Sequence, residues 1–519
     1  MSSTPSNSAA GPASRRQLRA FLCTNFLYVW LVFGWSLTLY PLGIDFAYLA
    51  GDATMNEASR RVFAMLQLVA GGDIWPFRVF NILLLYACMV CVLLLTRFAL
   101  DGPWWLGSFA AVMMMANPVK SEAVLQLSAV ADLLPAFLAL AALTAFAAWH
   151  RHRGLWLYLI ALILGAFGTL AFIENVALPL VMMALYILIP TGRMARTTQL
   201  MPFLLLGGAG MIQVTAQAWT HGFNPVDRFA PILWAFYPLG LRTETAILYE
   251  RFPEMWFLPM AALCIFAYLG WRMSRQPAIF FALAGALLFR LAPAGTFDFV
   301  HLRGGGGMLL PFACLYIGFA SIWMSIQRHP RWRRAAVTLT TVLCVVFMAL
   351  QIQALWHWRQ AAAVVKSFQA RAKLSVEASA GEPVAILPDY RYHHSAPIGA
   401  YASVAYDTAH SEALPVRSAL AMHYFRHGRG GVRILDWTPL GADVEITGCS
   451  FEELFGADLY GVRAGDDVTY ENYQLKLISE SDGKVVVRIY PLDEFLPERI
   501  ITLGNAGDPV ALRLGEAMP

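Results

Sequence analysis

The sequence predicts a polytopic α-helical membrane protein, of about 11 transmembrane helices, with a C-terminal α/β or β-rich soluble domain. Three observations predict it. First, 58% of the 519 residues are hydrophobic and 14% are charged, against roughly 45–50% and about 25% in soluble globular domains. Second, the charge is unevenly spread: Ala361–Pro519 is about 22% charged and everything before it about 10%. Third, apolar runs able to cross about 30 Å of hydrocarbon recur with short interruptions. This composition excludes an ordinary soluble enzyme and a disordered or fibrous chain.

The elements follow in order. A polar stretch to Arg19, read as a cytoplasmic segment (1–19), precedes the apolar run Phe21–Leu42. That run is longer than a signal-peptide core and long enough to span a bilayer. Further spans are expected near 77–99, 104–117, 127–149, 155–172, 175–190, 201–219, 256–273, 277–293, 307–327 and 335–356, within a membrane domain of 20–356. Basic clusters orient them, because Lys and Arg stay on the cytoplasmic side. The clusters are Arg15, Arg16 and Arg19; His150–Arg153; Arg193 and Arg196; Arg272 and Arg275; and Arg328–Arg334. Counting Phe229–Tyr249 as a further span would put every later cluster on the wrong side, so it is read as a re-entrant or interfacial helix. The N-terminus is then cytoplasmic, and 357–519 forms an extracytoplasmic (periplasmic) domain of an inner-membrane protein. In that tail Pro383–Leu387, Val432–Leu435 and Lys484–Tyr490 read as strands, and Ser481-Asp482-Gly483 as a turn.

The formal net charge of +4 is small and the basic residues sit in orienting loops, so no nucleic-acid partner is expected. Cys449 is the tail's one cysteine, which leaves no intradomain disulfide there. His393, His394 and His423 lack ligand-like spacing and read as surface or structural residues.

Acids concentrate in the extracytoplasmic loops. Loop one holds Asp45, Asp52, Glu57 and Asp73; loop two holds Glu122, loop three Glu174, and a later loop Asp298, His301 and Arg303 before four glycines. Carboxylates at a bilayer edge are costly and usually face a polar cavity. The pattern predicts a site on the outer face.

The loops also carry a resemblance. They read Asp45 after span one; Arg78-Val79-Phe80-Asn81 opening span two; Asn117-Pro118-Val119-Lys120-Ser121-Glu122-Ala123-Val124 and Ala131-Asp132-Leu133-Leu134 around loop two; and Ile173-Glu174-Asn175 in loop three. In order and spacing these resemble the GT-C membrane glycosyltransferases, closest to the O-mannosyltransferase branch with tetratricopeptide tails and its bacterial relatives. The resemblance covers roughly Ala20–Pro190, and the tail shows no tetratricopeptide period. There are departures. Phe46 stands where the family often has a second acid, Asn117 and Lys120 replace loop-two histidines, and Ile173 replaces the loop-three lysine.

The resemblance implies a glycosyltransferase that takes a sugar from a polyprenyl-phosphate-linked donor and passes it to a lipid, glycan or protein acceptor at the outer face of the bilayer. An acceptor hydroxyl needs a general base. Asp45, at the end of span one, is the first candidate and Asp52 the second; the competing role for each is capping the helix that follows. A departing lipid phosphate needs positive charge and oriented donors. Arg303, ahead of Gly304–Gly307, and Lys120 are the candidates. Glu122, Glu174, Arg78 and His301 are expected to line the cavity. Glu122 and Glu174 could also hold a divalent ion, but the resemblance implies a metal-independent reaction, so no metal or other cofactor is assigned. Two other readings stay open: a transporter or flippase, and a catalytically inactive GT-C-like assembly protein.

Overall fold

The computed structural model describes residues 12–42, 45–50, 57–71, 73–117, 122–191, 197–221, 232, 257–291, 305–327 and 330–377. In the tail it describes 384–386, 389–390, 392–393, 396–397, 416–418, 421–422, 432–438, 441–447, 450–451, 462–470, 473–481, 483–491, 499–503 and 509–513. Two compact units divide the chain: Met1–Thr38 with Met55–Ile352, and Leu39–Thr54 with Gln353–Pro519. The segment Phe229–Tyr249 lies outside the described residues except for Ile232.

The first unit is helical. Its elements are α1 (Pro12–Phe33), α3 (Glu57–Ala70), α4 (Trp75–Leu100), α5 (Trp104–Ala116), α6 (Glu122–Leu125), α7 (Val130–His152), α8 (Leu155–Ala171) and α9 (Leu178–Leu188). They continue with α10 (Thr197–His221), α11 (Phe257–Ser274), α12 (Ala278–Leu291), α13 (Leu309–Ile326) and the first part of α14 (Pro330–Glu377). Five stretches are long and apolar enough to cross a membrane: Arg16–Thr38, Trp75–Leu100, Leu127–His152, Leu309–Ile326 and Arg333–Lys366. Shorter apolar helices accompany them at Trp104–Ala116, Leu155–Ala171, Ile173–Leu188, Thr197–Ile212, Leu263–Arg272 and Ala278–Leu291. The chain is therefore a mostly helical membrane protein.

These segments form helices because they are Leu- and Ala-rich and because apolar surroundings require every backbone group to be bonded within the segment. The α4, α7, α9, α12, α13 and α5 helices pack in that cyclic order, each against the next and the last against the first. Close approach is built in at Gly107 of α5, where an added Cβ would run into the backbone carbonyl of Leu93 in α4. Without a hydrophobic force between helices in lipid, such backbone proximity supplies the packing energy.

Hydrogen bonds show that the helices alternate in direction. At one end Arg151 Nη1 donates to the Phe98 carbonyl at 2.9 Å and Arg151 pairs with Asp101, joining the C-termini of α7 and α4. At the same end His150 Nε2 meets the Ile189 carbonyl after α9 at 2.8 Å. Phe109 of α5 stacks on Trp323 near the end of α13, and Ser325 Oγ donates to the Ser274 carbonyl at the end of α11. Three non-glycine residues turn left-handed here to close α4, α7 and α11: Asp101 (φ 52°), Arg153 (φ 57°) and Arg275 (φ 55°). Each such turn costs about 1–2 kcal/mol. It is offset where the new cations rest on tryptophans: Arg153 lies 4.9 Å from the Trp149 ring and Arg275 lies 4.8 Å from Trp271. Arginine beside tryptophan is the pattern of a membrane–water interface.

The second unit contains the start of loop one, with α2 (Asp45–Ala50), the rest of α14, and two main sheets. It also holds two short pairs, β2 (Asp389–Tyr390) with β6 (Ala421–Met422) and β3 (Tyr392–His393) with β4 (Ala396–Pro397). The expected domain boundary after residue 356 falls inside α14, which runs on to Glu377. One sheet has the order β13-β12-β1-β5, from β1 (Val384–Ile386), β5 (Val416–Ser418), β12 (Arg499–Leu503) and β13 (Pro509–Arg513). There β1 runs parallel to both neighbours, and β12 and β13 form an antiparallel pair.

The other sheet is antiparallel with the order β7-β8-β11-β10-β9. Its strands are β7 (Val432–Thr438), β8 (Gly441–Thr447), β9 (Asp467–Tyr470), β10 (Tyr473–Ser481) and β11 (Lys484–Pro491). Period-two alternation gives it a buried face of Val444, Ile446, Leu475, Leu477, Val485, Val487 and Ile489. On the opposite face, register aligns Asp467, Lys476, Arg488 and Asp443 across four strands. Arg488 grips Asp443 through two bonds of 2.5 and 2.6 Å, and Lys476 pairs with Asp467 at 3.3 Å. The strand-like runs expected in the tail are β1, β7 and β11, and Gly483 takes φ 72° in the expected turn.

Candidate functional site

The end of the helical unit opposite the Arg–Trp end is built from the starts of α4, α7 and α13 and the ends of α5, α8 and α12. Arg78 sits in the first turn of α4, after Pro76, and is 1% exposed. Arg290, one residue from the end of α12, is equally buried. A guanidinium survives such burial only when paired, and both are engaged.

One turn beyond Arg78, the buried Asn81 donates through Nδ2 to the Gln126 carbonyl at 2.8 Å and to the Leu127 carbonyl at 3.5 Å. Gln126 is extended (φ −72°, ψ 148°) and breaks the helical path between α6 and α7. Asn81 thus satisfies carbonyls left open by that break. Ser128 Oγ donates to Gln126 Oε1 at 3.4 Å. Asn117, extended at the end of α5, donates to the Tyr316 hydroxyl of α13 at 3.1 Å.

Loop three closes the same end. A short 3-10 turn, Ile173–Asn175, joins α8 to α9, and Asn175 Nδ2 donates to the Pro135 carbonyl of α7 at 2.9 Å. Asn81 and Asn175 therefore grip the α6–α7 segment at points about 12 Å apart along a helix. Three buried acceptors here, Asn81 Oδ1, Asn175 Oδ1 and Glu174 Oε2, have no hydrogen-bond donor among the described residues. A buried acceptor without a donor costs about 1–3 kcal/mol. Glu174 can meet part of that cost by keeping its proton, and burial pushes its carboxyl above the usual value of 4.5.

Below pH 4.5 the Glu174 carboxyl is protonated whether folded or unfolded. As pH rises, the unfolded chain ionises first, so stability declines until the folded-state value is passed. Glu174→Gln should therefore melt with the wild type at pH 4 and above it at pH 7.5, measured by thermal unfolding in detergent. Equal melting temperatures at both pH values would contradict the assignment.

The glycine turn joins the same end. Gly305–Met308 forms a 3-10 turn before α13 and packs against α6 and the start of α7. Glu122 is the first residue of α6, and Asp132 lies in the first turn of α7. The structure thus gathers Arg78, loop two, loop three and the glycine turn at one end of one unit. Lys120, Asp52, His301 and Arg303 lie outside the described residues. Among the described residues no three His, Cys, Asp or Glu side chains are placed to hold a metal ion.

Asp45 belongs to the second unit. It is the first residue of α2 and is fully buried. Its N–H donates to the Leu42 carbonyl at 3.1 Å, and the Leu42 N–H donates back to Asp45 Oδ2 at 3.2 Å. The carboxylate thus bonds the chain before α2.

Arg290, Asn175 and Tyr316 were not singled out as site residues from the sequence. Arg290 had a signal: an arginine at the end of the apolar run Ala278–Leu291 marks a polar interior by default. The fold and this polar end define an integral-membrane helical bundle with buried charge at one end. The chain matches no protein-family model and no curated protein.

Proposed function

We propose that the chain is an integral-membrane glycosyltransferase of GT-C type, moving a sugar from a polyprenyl-phosphate donor to an acceptor at the outer face of an inner membrane. The observation that carries this reading is the gathering of Arg78, loop two, loop three and the glycine turn at one end of the helical unit, opposite the Arg–Trp end. With positive residues retained inside, the Arg–Trp end is cytoplasmic and the polar end outward. In this reading the six shorter apolar helices are spans beside the five long ones, and basic loops retained inside leave the N-terminus cytoplasmic and the tail periplasmic.

In this reading Asp45 takes the proton of the acceptor hydroxyl as its oxygen attacks the anomeric carbon. The bond from that carbon to the donor phosphate breaks, and the polyprenyl phosphate leaves as an anion. Arg303, with the N–H groups of its glycine turn, and Lys120 hold that anion, because departing negative charge is best met by fixed donors. Arg78, Glu122, Glu174 and His301 shape the cavity, and buried acceptors such as Glu174 Oε2 suit the hydroxyls of a sugar.

The test is a mass balance. Detergent-purified full-length chain is incubated with polyprenyl-phosphate hexoses and a membrane extract as acceptor. Equal release of polyprenyl phosphate and formation of a new glycoside supports the reading. Movement of intact donor across sealed vesicles with no covalent product would replace it with a flippase, and a stable copurifying partner with neither activity would replace it with an inactive assembly protein.

A further inference from the structure

We propose that Tyr40 and Gln369 are positioning residues for Asp45, fastening the start of loop one to the distal part of α14. This rests on the reading of Asp45 as the base. The Tyr40 hydroxyl donates to Gln369 Oε1 across 329 positions of sequence. Gln369 is buried on α14, one turn past the apolar stretch that ends at Lys366. The Tyr40 ring also meets the Phe46 ring, 6.2 Å between centroids at 51°. Leu39, Leu42 and Phe46 are buried around it. Asp45 lies between these anchors, with its carboxylate and N–H both bonded to Leu42.

A displacement of Tyr40 is passed to the Asp45 carboxylate, because the Leu42–Asp45 closure and the Tyr40–Phe46 contact move together. The same compact unit contains the start of loop one, Leu39–Thr54, the distal part of α14 and the tail sheets.

The experiment combines an exchange measurement with a kinetic one on the full-length chain. Hydrogen exchange at the Leu42 and Asp45 amides should quicken at least tenfold in Tyr40→Phe and in Gln369→Leu, and stay slow in Gln369→Glu, whose carboxylate still accepts the tyrosine proton. With a polyprenyl-phosphate hexose as donor, kcat should fall about 10–100-fold in the first two variants, since an ångström of misplacement costs that much. KM for the donor should not change, and Gln369→Glu should restore kcat. In an Asp45→Asn background, Tyr40→Phe should have no further effect on the residual rate. Unchanged exchange in Gln369→Leu overturns the tie itself. Unchanged kcat in Tyr40→Phe, with Asp45→Asn inactive, overturns the positioning role alone. A fully active Asp45→Asn instead overturns the base on which it rests.

Discussion

Asp45→Asn is expected to lower the rate of sugar transfer by about 10²–10⁴-fold, the range a positioned general base supplies. The substitution keeps a carbonyl oxygen that can accept the Leu42 N–H, so the turn closure, now 3.2 Å at Oδ2, survives. The melting temperature should therefore stay within a degree or two of the wild type. What is lost is the lone pair that takes the acceptor's proton. The measurement is initial transfer rate with a polyprenyl-phosphate hexose, beside a thermal melt of the same preparation. A large fall in rate with an unchanged melt fits a base; an unchanged rate leaves Asp45 with its structural bond to the Leu42 N–H. A fall in both would mean that the buried carboxylate serves mainly to hold the turn.

Gly107→Val is expected to produce a large loss of stability in the helical unit, about 3 kcal/mol or more. At this site α5 lies against the backbone of α4, and an added Cβ meets the Leu93 carbonyl. A carbonyl in a bonded helix cannot swing aside as a side chain can, so the two helices must separate. Overpacking typically costs 1–3 kcal/mol, and separation here also loosens the seam between α4 and α5. The readout is urea or thermal unfolding in a fixed detergent. Gly208 of α10 is the control, since nothing stands within 4 Å of its added Cβ. Gly208→Ala should leave the melt nearly unchanged. If Gly107→Val melts with the wild type, the close approach of α4 and α5 is wrong.

Much of the helical unit is legible in the sequence, because an apolar run admits few structures in lipid and the basic clusters punctuate it. In loop one the spacing over Asn56–Val69 reads as an amphipathic helix, and α3 covers Glu57–Ala70. The site is legible only in part. Glu174 and Arg78 carry charge in apolar surroundings, which is conspicuous, and Arg290 carried the same signal. Asn81 stood out only as part of a motif, and Asn175 looks like an ordinary loop residue until its bond to the Pro135 carbonyl is seen. The length of α14 is not legible from hydropathy. The apolar signal fades near residue 356, while helical backbone continues through a polar stretch to Glu377. Nor could hydropathy assign the start of loop one to the C-terminal unit, because that assignment depends on contacts such as Tyr40 with Gln369, far apart in sequence.

The central claim is that the end of the helical unit bearing the loop motifs is wet and faces outward. Single cysteines at Glu174 and at Arg272, in a background with the native cysteines replaced, test it in sealed right-side-out vesicles with a membrane-impermeant maleimide. Glu174→Cys should be modified from outside, and a polyprenyl-phosphate hexose should slow that modification. Arg272→Cys should react only after the vesicles are opened. Labelling of Arg272→Cys from outside, or a Glu174→Cys that reacts only in opened vesicles, would contradict the account.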